Sequence, residues 1–307
     1  MEEQNMRAVY LIPRGLAAAL ALLVLLIAVA GCGVEGTAEQ PAATTQTPGS
    51  TSTTTPALPT TTSSSPEPAD MMTLNVYFVR GEVLGVAHRR VLRTEAVAVA
   101  AMEQLLSEPT TAEEEWGFTT SIPTETRLLG VTVDEGVATV NLSGEFEQGG
   151  GTFAMTMRLA QVVYTLTQFP TVDAVSLAIE GTPIDVFSGE GLLLEKPQTR
   201  ADYERVTPAI LVESVAPGDT VTSPLQLTGT ANTFEATFMA TITGWDGRIV
   251  FEDFVTAASG SGTRGAFDVT LPFEVDEPGL GALIVWEQSA EDGSQINLVE
   301  IPLTIER

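Results

Sequence analysis

Between residues 33 and 70 the chain reads GVEGTAEQPAATTQTPGSTSTTTPALPTTTSSSPEPAD, a stretch with almost no large apolar side chain. Such a stretch cannot bury enough surface to offset the entropy of ordering it. It is therefore expected to be a disordered tether, and its spaced prolines make it more extended than a Gly/Ser linker. A plain spacer is the favoured reading, with O-glycosylated Ser/Thr as the alternative. Folding is thereby confined to the residues from about Thr73 onward. In a chain of 307 residues this leaves room for about two domains, each large enough to bury its own core.

The segment before the tether has the layout of an export signal. Arg7 and Arg14 precede an apolar run over residues 15–30 that ends in small residues. That run falls short of the ~20 residues of a spanning helix. The only cysteine of the chain, Cys32, follows it directly. Val29-Ala30-Gly31-Cys32 resembles a bacterial lipobox. The resemblance implies that Val29, Ala30 and Gly31 are recognised by a signal peptidase, that residues 1–31 are a signal peptide, and that Cys32 becomes the acylated first residue. A palmitate-bearing lipid anchor would hold the protein on the extracytoplasmic face of the cell membrane. An uncleaved membrane helix and a buried free thiol are the alternatives. An acylated sulfur has no redox role and needs no second cysteine.

Residues 73–188 read as one folded unit. Residues 73–79 alternate and are rich in β-branched and aromatic side chains, and residues 83–92 make a second strand. Thr94 is a candidate N-cap for a helix in which Ala98, Ala101, Met102 and Leu105 share a face, before Pro109 stops it. Residues 127–133 and 137–142 flank Asp134-Glu135-Gly136 as a hairpin. Met155, Leu159, Val162, Val163 and Leu166 recur at helical spacing, and residues 174–179 give a last strand. The order ββαββαβ predicts an α+β domain with two helices on one face of a mostly antiparallel sheet.

Residues 189–208 read as a polar linker, and residues 209–307 read as strands only. Seven strands, at residues 210–215, 225–231, 234–242, 248–256, 266–273, 281–287 and 297–305, predict an all-β immunoglobulin-like sandwich. Phe234, Ala236, Phe238, Ala240 and Ile242 are expected on one face, as are Phe267, Val269, Leu271 and Phe273, and Val299, Ile301, Leu303 and Ile305. Trp245-Asp246-Gly247-Arg248 has the Asp-Gly pair of a two-residue hairpin. With separate periodic cores, the two units are expected to fold independently.

These blocks carry a family resemblance. LNVYFV, AMEQLLSEP, SIPTETRLLGVTVDEGVATVNLS and QVVYTLTQFPTVDAVSLAIEGTPI resemble the GerMN domain of bacterial sporulation and germination lipoproteins. SVAPGDTVTSPLQLTGTANTFEATF, SGSGTRGAFDVTLPF and WEQSAEDGS resemble the immunoglobulin-like domain that commonly follows GerMN. The motif residues Tyr164, Thr165, Leu166, Phe169, Pro170 and Val172 are read as helix packing and helix exit rather than as a ligand site.

The chemistry-bearing residues are few. A net charge of −26 repels polyanions, which excludes nucleic acid as a partner. His88, the only histidine, lies in Ala87-His88-Arg89-Arg90 and reads as a surface strand residue whose cationic neighbours oppose protonation. No motif offers a catalytic residue, a metal site or a cofactor site. Glu113, Glu114 and Glu115 beside Trp116, and Glu291 with Asp292, are acidic clusters that read as solvated loops, with cation or sugar binding as the alternative. Asn141-Leu142-Ser143 is a chance sequon.

The resemblance implies a non-catalytic, membrane-anchored interaction or scaffold module of the cell envelope, in sporulation, germination or wall assembly. Its expected partners are membrane lipid through Cys32, envelope proteins or wall polymer, and further copies of the chain through the GerMN-like domain. The alternatives are a carboxylate-dependent wall hydrolase and a solute-binding lipoprotein.

Overall fold

The structure, a computed structural model, describes residues 70–189 and 191–307. Cys32, the residues Val29, Ala30 and Gly31, and the tether up to residue 69 lie outside the described residues. Among the described residues no helix is long and apolar enough to cross a membrane.

The first domain opens with a hairpin of β1 (Met71–Arg80) and β2 (Val83–Leu92), paired without a slip from Met71↔Leu92 to Arg80↔Val83. β3 (Phe118–Thr119) adds to the far end of β1. Between them run α1 (Val97–Leu106) and the short α2 (Thr111–Glu115). The expected cap of α1 is displaced. Ala96 occupies the N-cap, and Thr94 Oγ1 accepts the Ala96 N–H at 3.1 Å, forming a turn one step ahead of the helix. α2 has a capping box: Thr110 Oγ1 accepts the Glu113 N–H and the Glu113 carboxylate accepts the Thr110 N–H.

β4 (Leu128–Asp134) and β5 (Val137–Leu142) form the expected hairpin, and its two turn residues, Glu135 at φ +45° and Gly136 at φ +82°, both take the positive φ of a tight turn. α3 (Thr152–Leu166) then crosses over, and β6 (Ala174–Ile179) pairs with β5 in parallel. A crossover helix makes that orientation natural. The α+β class holds, but the strands divide into two sheets, β2-β1-β3 and β4-β5-β6-β7, where β7 is Thr182–Pro183. β8 (Val186–Phe187) and β9 (Leu192–Leu193) form a small ribbon. Phe78, Phe118, Met102, Leu142, Phe146, Leu159, Tyr164 and Phe187 are buried in one core. Of the motif residues, Tyr164, Thr165, Leu166 and Val172 are buried, Phe169 packs partly against the core and Pro170 is exposed at the turn.

The connecting segment is more than a polar link. Leu194, Tyr203 and Val206 are buried in the first core, and the Gln198 backbone exchanges hydrogen bonds with Val175 at 2.7 and 2.8 Å. Residues Arg200–Val206 wind into 3-10 turns against α3.

The second domain is the expected sandwich. β10 (Ile210–Val212), β12 (Leu225–Ala231) and β15 (Gly265–Leu271) form one sheet. β11 (Thr220–Val221), β17 (Gln295–Ile305), β16 (Gly279–Gln288), β13 (Thr237–Thr243) and β14 (Ile249–Thr256) form the other, in that order. The opening strand is divided between them, since β10 pairs with β12 while β11 pairs in parallel with β17. Phe238 meets Phe267 across the sheets with ring centroids 5.0 Å apart.

Two local expectations change. Phe234 is 53% exposed, because residues Phe234–Ala236 form a 3-10 turn with positive φ at Glu235 and Ala236, so the inward alternation starts at Phe238. The Trp245 hairpin closes over residues 244–248 rather than over two residues. β10 is shared between domains: Ile210 and Val212 face the sandwich core while Leu211 packs into the first core.

Candidate functional site

A set of buried and half-buried polar side chains converges on the joint between the two domains. Alternation on the first hairpin sets this up. Leu74, Val76, Phe78, Ala87 and Arg89 lie on one face, while Asn75, Tyr77 and His88 lie on the other and meet residues of the second domain.

His88 corrects the surface reading. Its side chain is only 11% exposed, with Nδ1 2.6 Å from Asp219 Oδ2 and Nε2 3.0 Å from the Glu213 carbonyl oxygen. Both partners are acceptors. A neutral imidazole donates from one nitrogen only, so this geometry needs the doubly protonated cation. Burial opposes that charge, but the hydrogen bond and charge of Asp219 and the Glu213 carbonyl outweigh it, and the pKa is raised above 6.5. Of the cations that flank His88 in sequence, only Arg90 shares its face of the hairpin. Arg89 points to the opposite face of the hairpin, and Arg90 is exposed.

Beside His88, the Glu213 carboxylate receives the Tyr77 hydroxyl and, at 2.7 Å, Arg200 Nη1. Arg200 also lies over the Tyr164 and Tyr77 rings, 4.7 and 5.4 Å from their centroids, and donates from Nε to Thr167 Oγ1 at 2.8 Å. Burial first, then the Glu213 charge, drives the Tyr77 hydroxyl far above the ordinary phenol range, so it stays a donor. For Arg200 burial works against the charge, yet Tyr77 and Glu213 raise its pKa overall. The motif residues serve this region. Tyr164 hydrogen-bonds Thr207 at 2.7 Å, and Thr165 Oγ1 accepts the Tyr77 N–H.

A second clamp lies further along. Arg264 binds Glu204 through Nε at 2.9 Å and Nη2 at 3.0 Å, and Asn232 adds a bond at 2.8 Å. Burial alone would raise the Glu204 pKa, but these donors hold it below its ordinary value. At the lower edge, Trp116 of the first domain sits against Gly218 of the second. A Cβ there would clash with the indole, and the φ of +88° is itself one that glycine favours.

The acidic clusters fall apart as candidates. Glu113 is buried and takes Arg89 through Nε at 3.1 Å and Nη2 at 2.6 Å, while Arg89 also donates to the carbonyls of Gln104 and Glu108. Burial pushes the Glu113 pKa up, but Arg89 and the Thr110 N–H bring it below the usual value. Glu114 and Glu115 remain exposed. Glu291 and Asp292 are exposed too, and Asp292 serves its own turn by accepting the Ser294 hydroxyl at 2.7 Å. Among the described residues no group of three His, Cys, Asp or Glu side chains could hold a metal ion. The sequence reading did not single out Tyr77, Arg200, Glu204, Glu213, Asp219 or Arg264. Asn75, Tyr77 and His88 share one strand face, which was a visible signal, but their partners lie more than a hundred residues away.

Residues 75–185 match the family described as Germane, sporulation and spore germination. Residues 209–294 match Gmad2, the immunoglobulin-like domain of bacterial spore germination. No curated protein matches the chain. Among solved structures, the first GerMN domain of the sporulation protein GerM from Bacillus subtilis is 24% identical, covering 43% of this chain and 99% of that one at a TM-score of 0.36. The tandem GerMN domains of the same protein are 19% identical, covering 67% of this chain and 62% of that one at 0.37. A putative lipoprotein from Clostridium perfringens is 18% identical, covering 47% of this chain and 97% of that one at 0.33. The chain thus carries a Germane domain followed by a Gmad2 domain, both of families described from spore germination.

Proposed function

We propose that this Germane–Gmad2 chain is a non-catalytic interaction module, anchored to the extracytoplasmic face of the membrane through acylated Cys32 and held off the lipid by its tether. The observation that carries the non-catalytic part is the joint. Within the joint, His88, Tyr77, Arg200, Glu204, Glu213 and Arg264 have the chemistry for proton transfer or anion binding, and each is already engaged by a partner that ties one domain to the other. A catalytic acid or base must instead present its proton to a substrate. The lipobox-like Val29-Ala30-Gly31-Cys32 supports the anchor.

Two measurements test this reading. Cys32→Ala should move the protein from the membrane fraction to the soluble fraction, and a variant that is still processed and stays membrane-bound would sink the anchor. The purified protein should release no glycan from cell wall. Glycan release abolished by one Glu or Asp substitution that leaves the fold intact would promote the carboxylate hydrolase instead.

A further inference from the structure

The divided opening strand of the sandwich leaves a gap. β10 ends at Val212 in one sheet, β11 begins at Thr220 in the other, and β11 covers β17 only at Thr304 and Ile305. Among the described residues no strand covers that side of β17 from residue 295 to residue 303. The gap opens into a cavity of about 230 Å3 between the domains. Three sheet-edge strands border it: β2 at residues 83–86, β10 over its whole length and β17 at residues 298–301. Leu84, Val86, Phe118, Leu211 and Val215 make its walls apolar, and Leu298 stands 51% exposed on its lip.

The backbone of β17 is aimed into this gap. The Glu300 and Pro302 carbonyls accept from Arg80 Nη1 at 3.0 Å and from the Gly218 N–H at 2.8 Å. The Thr304 and Glu306 N–H groups donate on the same side, to Asp219 and Val221. Even-numbered residues here therefore turn their backbone groups away from β16. Pro302, which has no N–H to give, fits this pattern without cost to the ladder. The Glu300 N–H points the same way and has no acceptor among the described residues.

Arg80 stands at the mouth. It gives Nε to the Trp116 carbonyl at 3.1 Å and forms no ion pair among the described residues. Burial lowers its pKa more than the Glu300 charge raises it. The mouth thus offers donors, a strand N–H and a guanidinium, above an apolar floor.

We propose that this cleft binds an extended, apolar peptide segment of a partner protein that carries an acidic residue, added along β17 beside Glu300. A partner carbonyl takes the Glu300 N–H, its carboxylate meets Arg80, and an apolar side chain fills the cavity. A second copy of the chain is disfavoured as occupant, since it brings another net charge of −26. The proposal rests on the interaction reading above and gives it a surface.

The test uses the full chain in lipid nanodiscs and a fluorescein-labelled probe peptide, Ac-IEVEV-NH2, followed by anisotropy. Saturable binding is expected, weakened roughly tenfold by Glu300→Pro and by Arg80→Gln. Phe254→Ser, on the opposite edge of the sheet, should leave it unchanged. If Glu300→Pro fails to fold by circular dichroism, Arg80→Gln decides. Absence of saturable binding, or equal binding by folded variants, overturns the proposal. So does self-association of the chain that the same variants abolish, because the cleft then belongs to a second copy. Failure here with Cys32-dependent anchoring intact removes this site alone and leaves the interaction function standing.

Discussion

The two faces of the first hairpin were built by the same alternation and do different work. Phe78 and Tyr77 are neighbours in β1, yet Phe78 looks into the Germane core beside Phe118, while Tyr77 looks toward the Gmad2 domain and ends on Glu213. The Phe78 face is apolar apart from Arg80 at its end and Arg89, whose charge is closed by Glu113 within the same domain. The Tyr77 face carries buried Val79, Leu84 and Val86 too, but its polar side chains Asn75 and His88 find their partners in the second domain. Apolar burial is the larger stabiliser and is indifferent to angle, whereas paired polar groups contribute less and fix one orientation. The contrast assigns stability to the apolar side chains and the fixing of geometry to the polar ones that the Tyr77 face turns to the second domain.

The strongest way to break this contrast is to empty the apolar face. Phe78→Ala should cost about 3–5 kcal/mol in denaturant unfolding, through lost burial and the cavity left behind. Glu113→Ala should cost about 3 kcal/mol, since it leaves Arg89 buried without its counter-charge. On the other face Tyr77→Phe should cost only about 1–2 kcal/mol, because Arg200 still satisfies Glu213. A Tyr77→Phe effect as large as that of Phe78→Ala would erase the distinction.

His88 sharpens it with pH. Its folded pKa lies above its unfolded value of 6.5, so its contribution is fully present below about pH 6.5 and is lost as pH rises through the folded pKa. Wild type should lose stability over that interval relative to His88→Gln, whose unfolding midpoint should follow pH more weakly. Since the chain has one histidine, its ring resonances titrate without overlap, and a midpoint at or below 6.5 would refute the charged pairing. The smallest effect is expected at Glu115→Gln, an exposed helix end, within about 0.5 kcal/mol of wild type.

The two faces were also unequally legible in the sequence. Period-two alternation and helical spacing give the hairpins, α3 and the sandwich strands, because burial on one side leaves a local pattern. Helical spacing also places Leu166 inside, whereas Tyr164 and Val172 are read as packing only through the family resemblance. The joint leaves no such pattern. His88 beside two arginines reads as a surface residue until Asp219, 131 residues away, is brought to it by the fold. Glu113 reads as one of three like charges until α2 turns it onto Arg89. The parallel β5–β6 pairing escaped for a similar reason, since strand polarity within a sheet depends on what α3 packs against.

The segment that links the domains also limits how such proteins can recombine. Leu194, Tyr203 and Val206 belong to the Germane core, but Arg200 and Glu204 from the same segment reach Glu213 and Arg264 of the Gmad2 domain. A chimera that replaces the Gmad2 domain at residue 209 keeps His88, Arg200 and Glu204 and loses their partners. Transplanting the second domain therefore requires that the incoming one supply counterparts of Glu213, Asp219 and Arg264, together with a glycine where Gly218 admits Trp116. The two domains are best exchanged as a pair.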